Sequence, residues 1–280
     1  GQAHRRSDGH TAWGRHLDGG VSPAPLATMP RSPALSGILC DIDDTLTTDG
    51  RLVPAAFAAL ARAQQSGLRV VPVTGRPAGW VDHFARMWPV DGCIGENGGL
   101  WFWMGDGKLQ RRFFQPEDVR RDNRQKLDQL AGRILTAVPG TALASDQAYR
   151  ALDLAVDFCE DVPPLDNAAV DSIVAEFDAI GAVCKVSSIH VNGWFGAFDK
   201  LAGFQRFHQD RWGTPADMGA WVYIGDSAND APMFEAFGRS VGVRNVEHFL
   251  QRIPEHQWPR YITPSEGGEG FAELVDHVLG

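Results

Sequence analysis

From residue 36 onward, short apolar runs alternate with stretches whose apolar positions recur every three to four residues. Ile38-Leu39-Cys40 is too short for a buried helix and is predicted as a parallel strand. PAAFAALARAQQSG follows with the period of an amphipathic helix, opened by Pro54 and closed by Gly67, and LRVVPV is the next strand. Strand, helix and strand in that order make a βαβ unit. A second helix, GWVDHFARMW, and a strand, GCIG, extend it, and LWFWMGDGKLQRRFF reads as a hairpin turning at Gly105-Asp106-Gly107.

The parallel rhythm then breaks. Residues 116–138 carry a long charged helix pattern, ALDLAVDF alternates with period two, DNAAVDSIVAEFDAIG is helical and VCKVSSIHV is strand-like. Parallel character returns with the helix DKLAGFQRFHQ, the strand AWVYIGD and the helix NDAPMFEAF. RSVGV, the helix VEHFLQRI, RYIT and the helix GFAELVDHVLG complete the chain. The predicted fold class is α/β: a Rossmann-like parallel-sheet core, residues 34–109 and 193–280, interrupted by an α+β domain at 110–192. Residues 1–33, rich in Gly, Pro, His and Arg with no hydrophobic period, are predicted to be a disordered extension, with Met29 a candidate natural start.

Composition narrows the function more than the fold. A chain of 280 residues, 44% hydrophobic and 22% charged, can bury a sizeable core, and its formal net charge of −9 disfavours a nucleic-acid surface. No apolar run has the length of a membrane span or the form of a secretory signal, and the four cysteines show no CxxC pair or metal-ligand spacing. These features predict a cytoplasmic protein with reduced cysteines, a monomer or homodimer, acting on a small molecule without nucleic-acid or membrane partners.

Four polar signals fall at strand exits or helix starts of the parallel part, where open parallel sheets bind ligands. They are Asp41-Ile42-Asp43-Asp44-Thr45, Val73-Thr74-Gly75-Arg76, Asp199-Lys200 and Gly225-Asp226-Ser227-Ala228-Asn229-Asp230. Each alone has an ordinary reading: a solvated turn, a strand-to-helix turn, a surface lysine, a helix cap. In conjunction they describe one site. Three carboxylates within four residues repel one another unless a cation sits among them.

These motifs, in this order, resemble those of the haloacid dehalogenase superfamily over residues 36–280. The long insertion between Thr74 and Lys200, with Glu96-Asn97-Gly98-Gly99 after the third strand, resembles the branch whose α/β cap lies between the second and third motifs (subfamily IIB). Within it, SSIHVNGWFGAFDK and GDSANDAPMF are most similar to the mannosyl-3-phosphoglycerate, sucrose and trehalose phosphatase group. The resemblance implies a Mg²⁺-dependent phosphatase of a sugar or sugar-acid phosphate, working through an aspartyl phosphate. Asp41 is then the nucleophile, Asp43 the general acid and base, Thr74 and Lys200 the stabilisers of the phosphoryl group. Asp41, Asp226 and the Asp43 carbonyl would hold Mg²⁺, with Asp230 orienting the metal's waters or Lys200. Gly75 and Asn229 are candidate phosphate contacts, Arg76 and Asn97 further candidate substrate contacts of the core, and Arg111, Arg112, Lys185, Ser187 and Ser188 the candidate substrate contacts of the cap. Two other readings stay open: a phosphomutase of the phosphomannomutase type, faintly suggested by Gly193-Trp194, and a catalytically silent binding or regulatory protein.

Overall fold

A computed structural model describes residues 22–187 and 189–280. Six parallel strands form the central sheet, in the order Ala24–Pro25, Tyr261–Ile262, Arg239–Gly242, Trp221–Gly225, Gly37–Cys40, Arg69–Pro72. A bridge between Val73 and Ile94 carries the sheet on into an antiparallel meander, Cys93–Gly95, Leu100–Gly105 and Lys108–Phe113. Its hairpin turns where expected, with Asp106 and Gly107 at φ 51° and 72°, the left-handed pair that a two-residue turn requires.

Both faces of the parallel strands are covered, which is why they read as unbroken apolar runs. Ile38, Cys40, Val70 and Ile224 point to one side, packing with Ala59 and Leu60 of the helix Pro54–Gln65 and Phe271 and Leu274 of the helix Gly267–Leu279. Leu39, Val71 and Tyr223 point to the other, against Phe204 and Phe207 of the helix Lys200–Trp212 and Phe234 of the helix Ala231–Ala236.

The α+β insertion has its own core. Its antiparallel sheet runs Val183–Val186, His190–Trp194, Leu154–Asp157, Ala142–Leu143, and the helices Glu117–Ala137 and Asn167–Ala179 pack on it through Leu127, Ile134, Ile173 and Phe177. The boundaries expected at 110 and 192 both fall inside strands. Lys108–Phe113 pairs with the core meander, and the strand from His190 stays in the insertion's sheet through Trp194. VCKVSSIHV holds the strand Val183–Val186 and the start of the strand His190–Trp194, and VEHFLQRI is a pair of 3₁₀ turns, Arg244–His248 and Leu250–Arg252. In that segment only Val246 and Ile253 are buried, too few to fix an amphipathic stripe.

The disordered extension is corrected over its last part. Ala24–Pro25 is the edge strand of the central sheet, Leu26 and Met29 are buried in the core, and the His277 ring bonds the Met29 carbonyl at 2.8 Å. A two-residue edge strand followed by one turn leaves no periodicity to read. The expectation for residues 1–21 lies outside the described residues. Leu26→Ala is expected to cost about 2 kcal/mol in urea unfolding, the low end for a buried leucine; no loss would show that this segment merely rests on the core.

Candidate catalytic site

The site is built from the carboxyl ends of neighbouring strands. Ile224 pairs with Cys40, so the strand ending at Cys40 and the one ending at Gly225 release Asp41 and Asp226 side by side. Beyond Asp41 the amides of Thr45, Leu46 and Thr47 all donate to the Ile42 carbonyl, at 3.3, 2.9 and 3.0 Å. The bonds of that turn end on the Ile42 carbonyl and not on that of Asp43, while the side chains reach Lys200 from Asp41 and Arg76 from Asp43. Lys200 opens the helix Lys200–Trp212, capped by Asp199, whose carboxylate accepts from the Ala202 amide at 2.8 Å. A cation in the first turn works against the helix dipole, so other charges must hold it there. Glycines let that helix end approach the turn at 96–99: a Cβ on Gly98, at φ 100°, would lie 1.9 Å from the Asp199 carbonyl oxygen.

Three buried carboxylates, Asp41, Asp226 and Asp230, offer oxygens within 4.8 Å of one another. The Lys200 ammonium lies between two of them, 2.8 Å from Asp41 and 2.9 Å from Asp230. Burial would raise the Asp230 carboxyl, but Lys200, the Tyr223 hydroxyl at 2.5 Å and the Asp226 amide at 3.0 Å outweigh it and hold Asp230 ionised. Burial lowers the Lys200 ammonium, yet Asp230 and Asp41 hold it protonated. One lysine does not neutralise three acids. Burial, helped by Asp230 and Asp43 and opposed by Lys200, pushes Asp41 up to about 7; burial, Asp230 and Asp41 push Asp226 up to about 9. A hard divalent cation fits this all-oxygen donor set and its excess negative charge.

The other expected residues divide into two sets. Thr74 is fully buried at the end of its strand, and its hydroxyl accepts from the Arg76 amide at 3.0 Å. Gly75 lies against Asn97, whose side-chain oxygen would be 3.3 Å from a Cβ there, and the Asn97 amide bonds the Thr74 carbonyl. Arg76 reaches Asp43. Asn229 is exposed on the turn between Asp226 and Asp230. From the insertion, Lys185 comes near enough for the Lys200 charge, after burial, to depress its ammonium.

Three expected substrate contacts stand elsewhere. Arg111 and Arg112 belong to the core meander, on opposite faces of one strand. Arg111 pairs with Asp82 beside a groove of about 630 Å³, and Arg112 lies over Trp103, so the two cannot grip one anion. The Ser187 hydroxyl is taken up by its own turn, donating to the His190 carbonyl and accepting from the His190 amide. Ser188 lies outside the described residues. A second acidic group, Asp157, Glu160 and His190, is a local structural knot: Asp157 accepts the amides of residues 159, 160 and 161, and Glu160 pairs with His190.

Sequence reasoning missed the polar joint between core and insertion. The buried Glu96 carboxylate accepts amides from Ala78 in the core and from Ala151, Leu152 and Asp153 in the insertion, at 2.6 to 3.1 Å. Arg150, buried beside it, binds Asp146 and Asp153. The spacing Asp146, Arg150, Asp153 was the available signal, but it sat in a stretch with no helical period. Burial and Asp153 push the Glu96 carboxyl from 4.5 to about 7 against the pull of those amides. Between those values the folded chain keeps a proton that the unfolded chain releases, so Glu96 stabilises least once pH has risen past the upper one. Glu96→Gln is expected to melt below the parent at about pH 5 and to close that gap by about pH 8; a gap independent of pH would assign Glu96 no such titration.

Residues 38–122 match the haloacid dehalogenase-like hydrolase family. The chain is similar to phosphoglycolate phosphatases of Methanoculleus marisnigri, 28% identical over 246 residues covering 86% of this chain and 95% of that protein, and of Methanococcoides burtonii, 24% identical over 250 residues covering 88% and 97%. Among solved structures, Thermoplasma acidophilum 0175 superposes with a TM-score of 0.69 at 19% identity, covering 88% of this chain and 98% of that one. A haloacid dehalogenase-like hydrolase of Bacteroides thetaiotaomicron gives 0.67 at 16% identity, covering 87% and 99%. The family match covers residues 38–122, and over most of its length the chain shares the fold of these solved structures. Among the described residues no helix is long and apolar enough to cross a membrane.

Proposed function

We propose that the chain is a Mg²⁺-dependent phosphomonoester hydrolase working through an aspartyl phosphate on Asp41. The observation that carries this reading is the Lys200 ammonium bridging Asp41 and Asp230 with Asp226 alongside. An anionic nucleophile attacks a phosphate dianion only when the charge between them is compensated, and this cluster has one fixed cation and oxygen donors for another. Mg²⁺ held by Asp41, Asp226 and the Asp43 carbonyl, with Asp230 behind them, would supply the remaining neutralisation. Asp41 forms the new bond to phosphorus as the ester P–O bond breaks, and Asp43 gives its proton to the departing oxygen. Asp43 then takes a proton from the water that cleaves the aspartyl phosphate, releasing phosphate and restoring both carboxyl groups. Lys200 and Thr74 hold the phosphoryl oxygens, and the insertion acts as the substrate-selecting cap.

The names of the methanogen relatives favour a small phosphorylated acid over the glycosylated substrates of the mannosyl-3-phosphoglycerate, sucrose and trehalose phosphatase group. A phosphate-release screen over phosphoglycolate, sugar phosphates and glycosyl-phosphoglycerates tests this choice. Hydrolysis is expected to vanish with EDTA and to return with Mg²⁺, and the metal should raise the melting temperature by ligand linkage. Asp226→Asn is expected to raise the metal-free melting temperature by relieving the acidic crowding, to lose the metal-dependent increment, and to lower turnover by at least about 10²-fold. Full turnover in EDTA, or an unchanged metal increment in Asp226→Asn, would contradict the proposed site.

A further inference from the structure

Asp43 does not face the cleft free. Arg76 Nε lies 3.0 Å from both of its carboxylate oxygens, and Arg76 Nη2 lies 2.6 Å from one of them. A general acid must present a proton on an oxygen turned toward the leaving group. Here both oxygens accept from a guanidinium that does not give up its own protons. The fork competes with that proton for the oxygens, and the pair is placed where it can open: the two side chains are 24% and 42% exposed, so opening costs roughly a factor of five.

Arg76 has anchors of its own. Its amide donates to the Thr74 hydroxyl, and its guanidinium lies 4.4 Å from the centre of the Trp80 ring. Neither contact involves Asp43, so both remain available to Arg76 when Asp43 departs. Lys185 adds another cation; among the described residues its ammonium has no ion-pair partner within reach, and it lies close enough to Lys200, Asp199 and Asp230 to feel their charges. The phosphoryl group already has Lys200, so these two cations call for a second anion on the substrate.

Given the phosphatase reading above, on which this rests, we infer that Arg76 is a specificity-determining gate on Asp43. It holds the acid back until a substrate carboxylate, one or two carbons from the ester oxygen, takes over the fork and frees Asp43 to meet the leaving oxygen. The substrate class is a short phosphorylated hydroxy acid. A neutral ester leaves Asp43 in the fork for most of its bound lifetime.

The test compares phosphoglycolate with 2-hydroxyethyl phosphate, which has a hydroxymethyl in place of the carboxylate, in the parent and in Arg76→Ala and Arg76→Lys. The parent is expected to favour phosphoglycolate in kcat/KM by roughly 100-fold. In Arg76→Ala, KM for phosphoglycolate should rise by about 30-fold or more while kcat for 2-hydroxyethyl phosphate rises several-fold, leaving a preference below about 5-fold. Arg76→Lys keeps the charge without the fork and should fall between the two. Loss of both substrates by the same factor in Arg76→Ala, or a parent without preference for the acid, would overturn the gate. If the parent hydrolyses neither ester but releases phosphate from another ester of the screen, the gate fails and the phosphatase reading stands; if it hydrolyses none of them, the phosphatase reading fails, and calorimetric binding of the two esters tests the Arg76 contact alone. An affinity advantage of phosphoglycolate that disappears in Arg76→Ala upholds Arg76 as the contact of the substrate carboxylate, and one that persists refutes that contact and the gate with it.

Discussion

Lys200→Met is expected to remove both activity and a large part of the stability of the metal-free protein. The ammonium is buried and bonded to two carboxylates, Asp41 and Asp230, so methionine fills its stem but leaves uncompensated charge in the interior. Breaking a buried pair from one side costs about 3–5 kcal/mol. The loss should be largest above about pH 8 and smaller near pH 5, because Asp41, already pushed up to about 7, can shed its charge by taking a proton there. Turnover should fall by about 10³-fold or more, since the charge facing the phosphoryl oxygens goes with it. Urea unfolding in EDTA at the two pH values, with phosphate release in Mg²⁺, measures both effects. A stable, active Lys200→Met protein would mean that the lysine is neither the structural nor the chemical centre of the cluster.

The parts of this architecture that were legible in the chain are those whose neighbours in space are fixed by topology. Strands buried on both faces print continuous apolar runs, such as Ile38-Leu39-Cys40 and the run after Trp221, and parallel pairing then sets Asp41 and Asp226 at one level. The lysine was legible for a related reason: it starts the helix that returns the chain to the core. What stayed hidden depended on side-chain direction or on isolated contacts. Arg111 and Arg112 are adjacent in sequence but face opposite sides of a strand whose assignment to the core needed its pairing partner. Glu96 satisfies four amides from two different segments, three of them more than fifty residues away, and no local pattern carries that information. Ala24–Pro25 is held at a sheet edge by a partner at the far end of the chain.

Asp43→Asn is expected to separate the two halves of the proposed reaction. Asparagine keeps the backbone carbonyl and the side-chain shape, but it has no proton to give and no second oxygen for the Arg76 fork. With an ester whose leaving group needs no protonation, Asp41 should still be phosphorylated. Hydrolysis of the aspartyl phosphate needs a base to take the proton of the attacking water and should slow by about 10²–10⁴-fold. The covalent enzyme should therefore accumulate in the variant and not in the parent. Mass spectrometry of the variant after rapid acid quench measures this directly, on the tryptic peptide spanning residues 32–51 that contains Asp41. The expected result is one added phosphoryl group on that peptide, assigned to Asp41 by fragmentation. Phosphate on any other residue, or a variant that turns over at the parent's rate with no phosphorylated peptide, would contradict Asp41 as nucleophile and Asp43 as its acid and base.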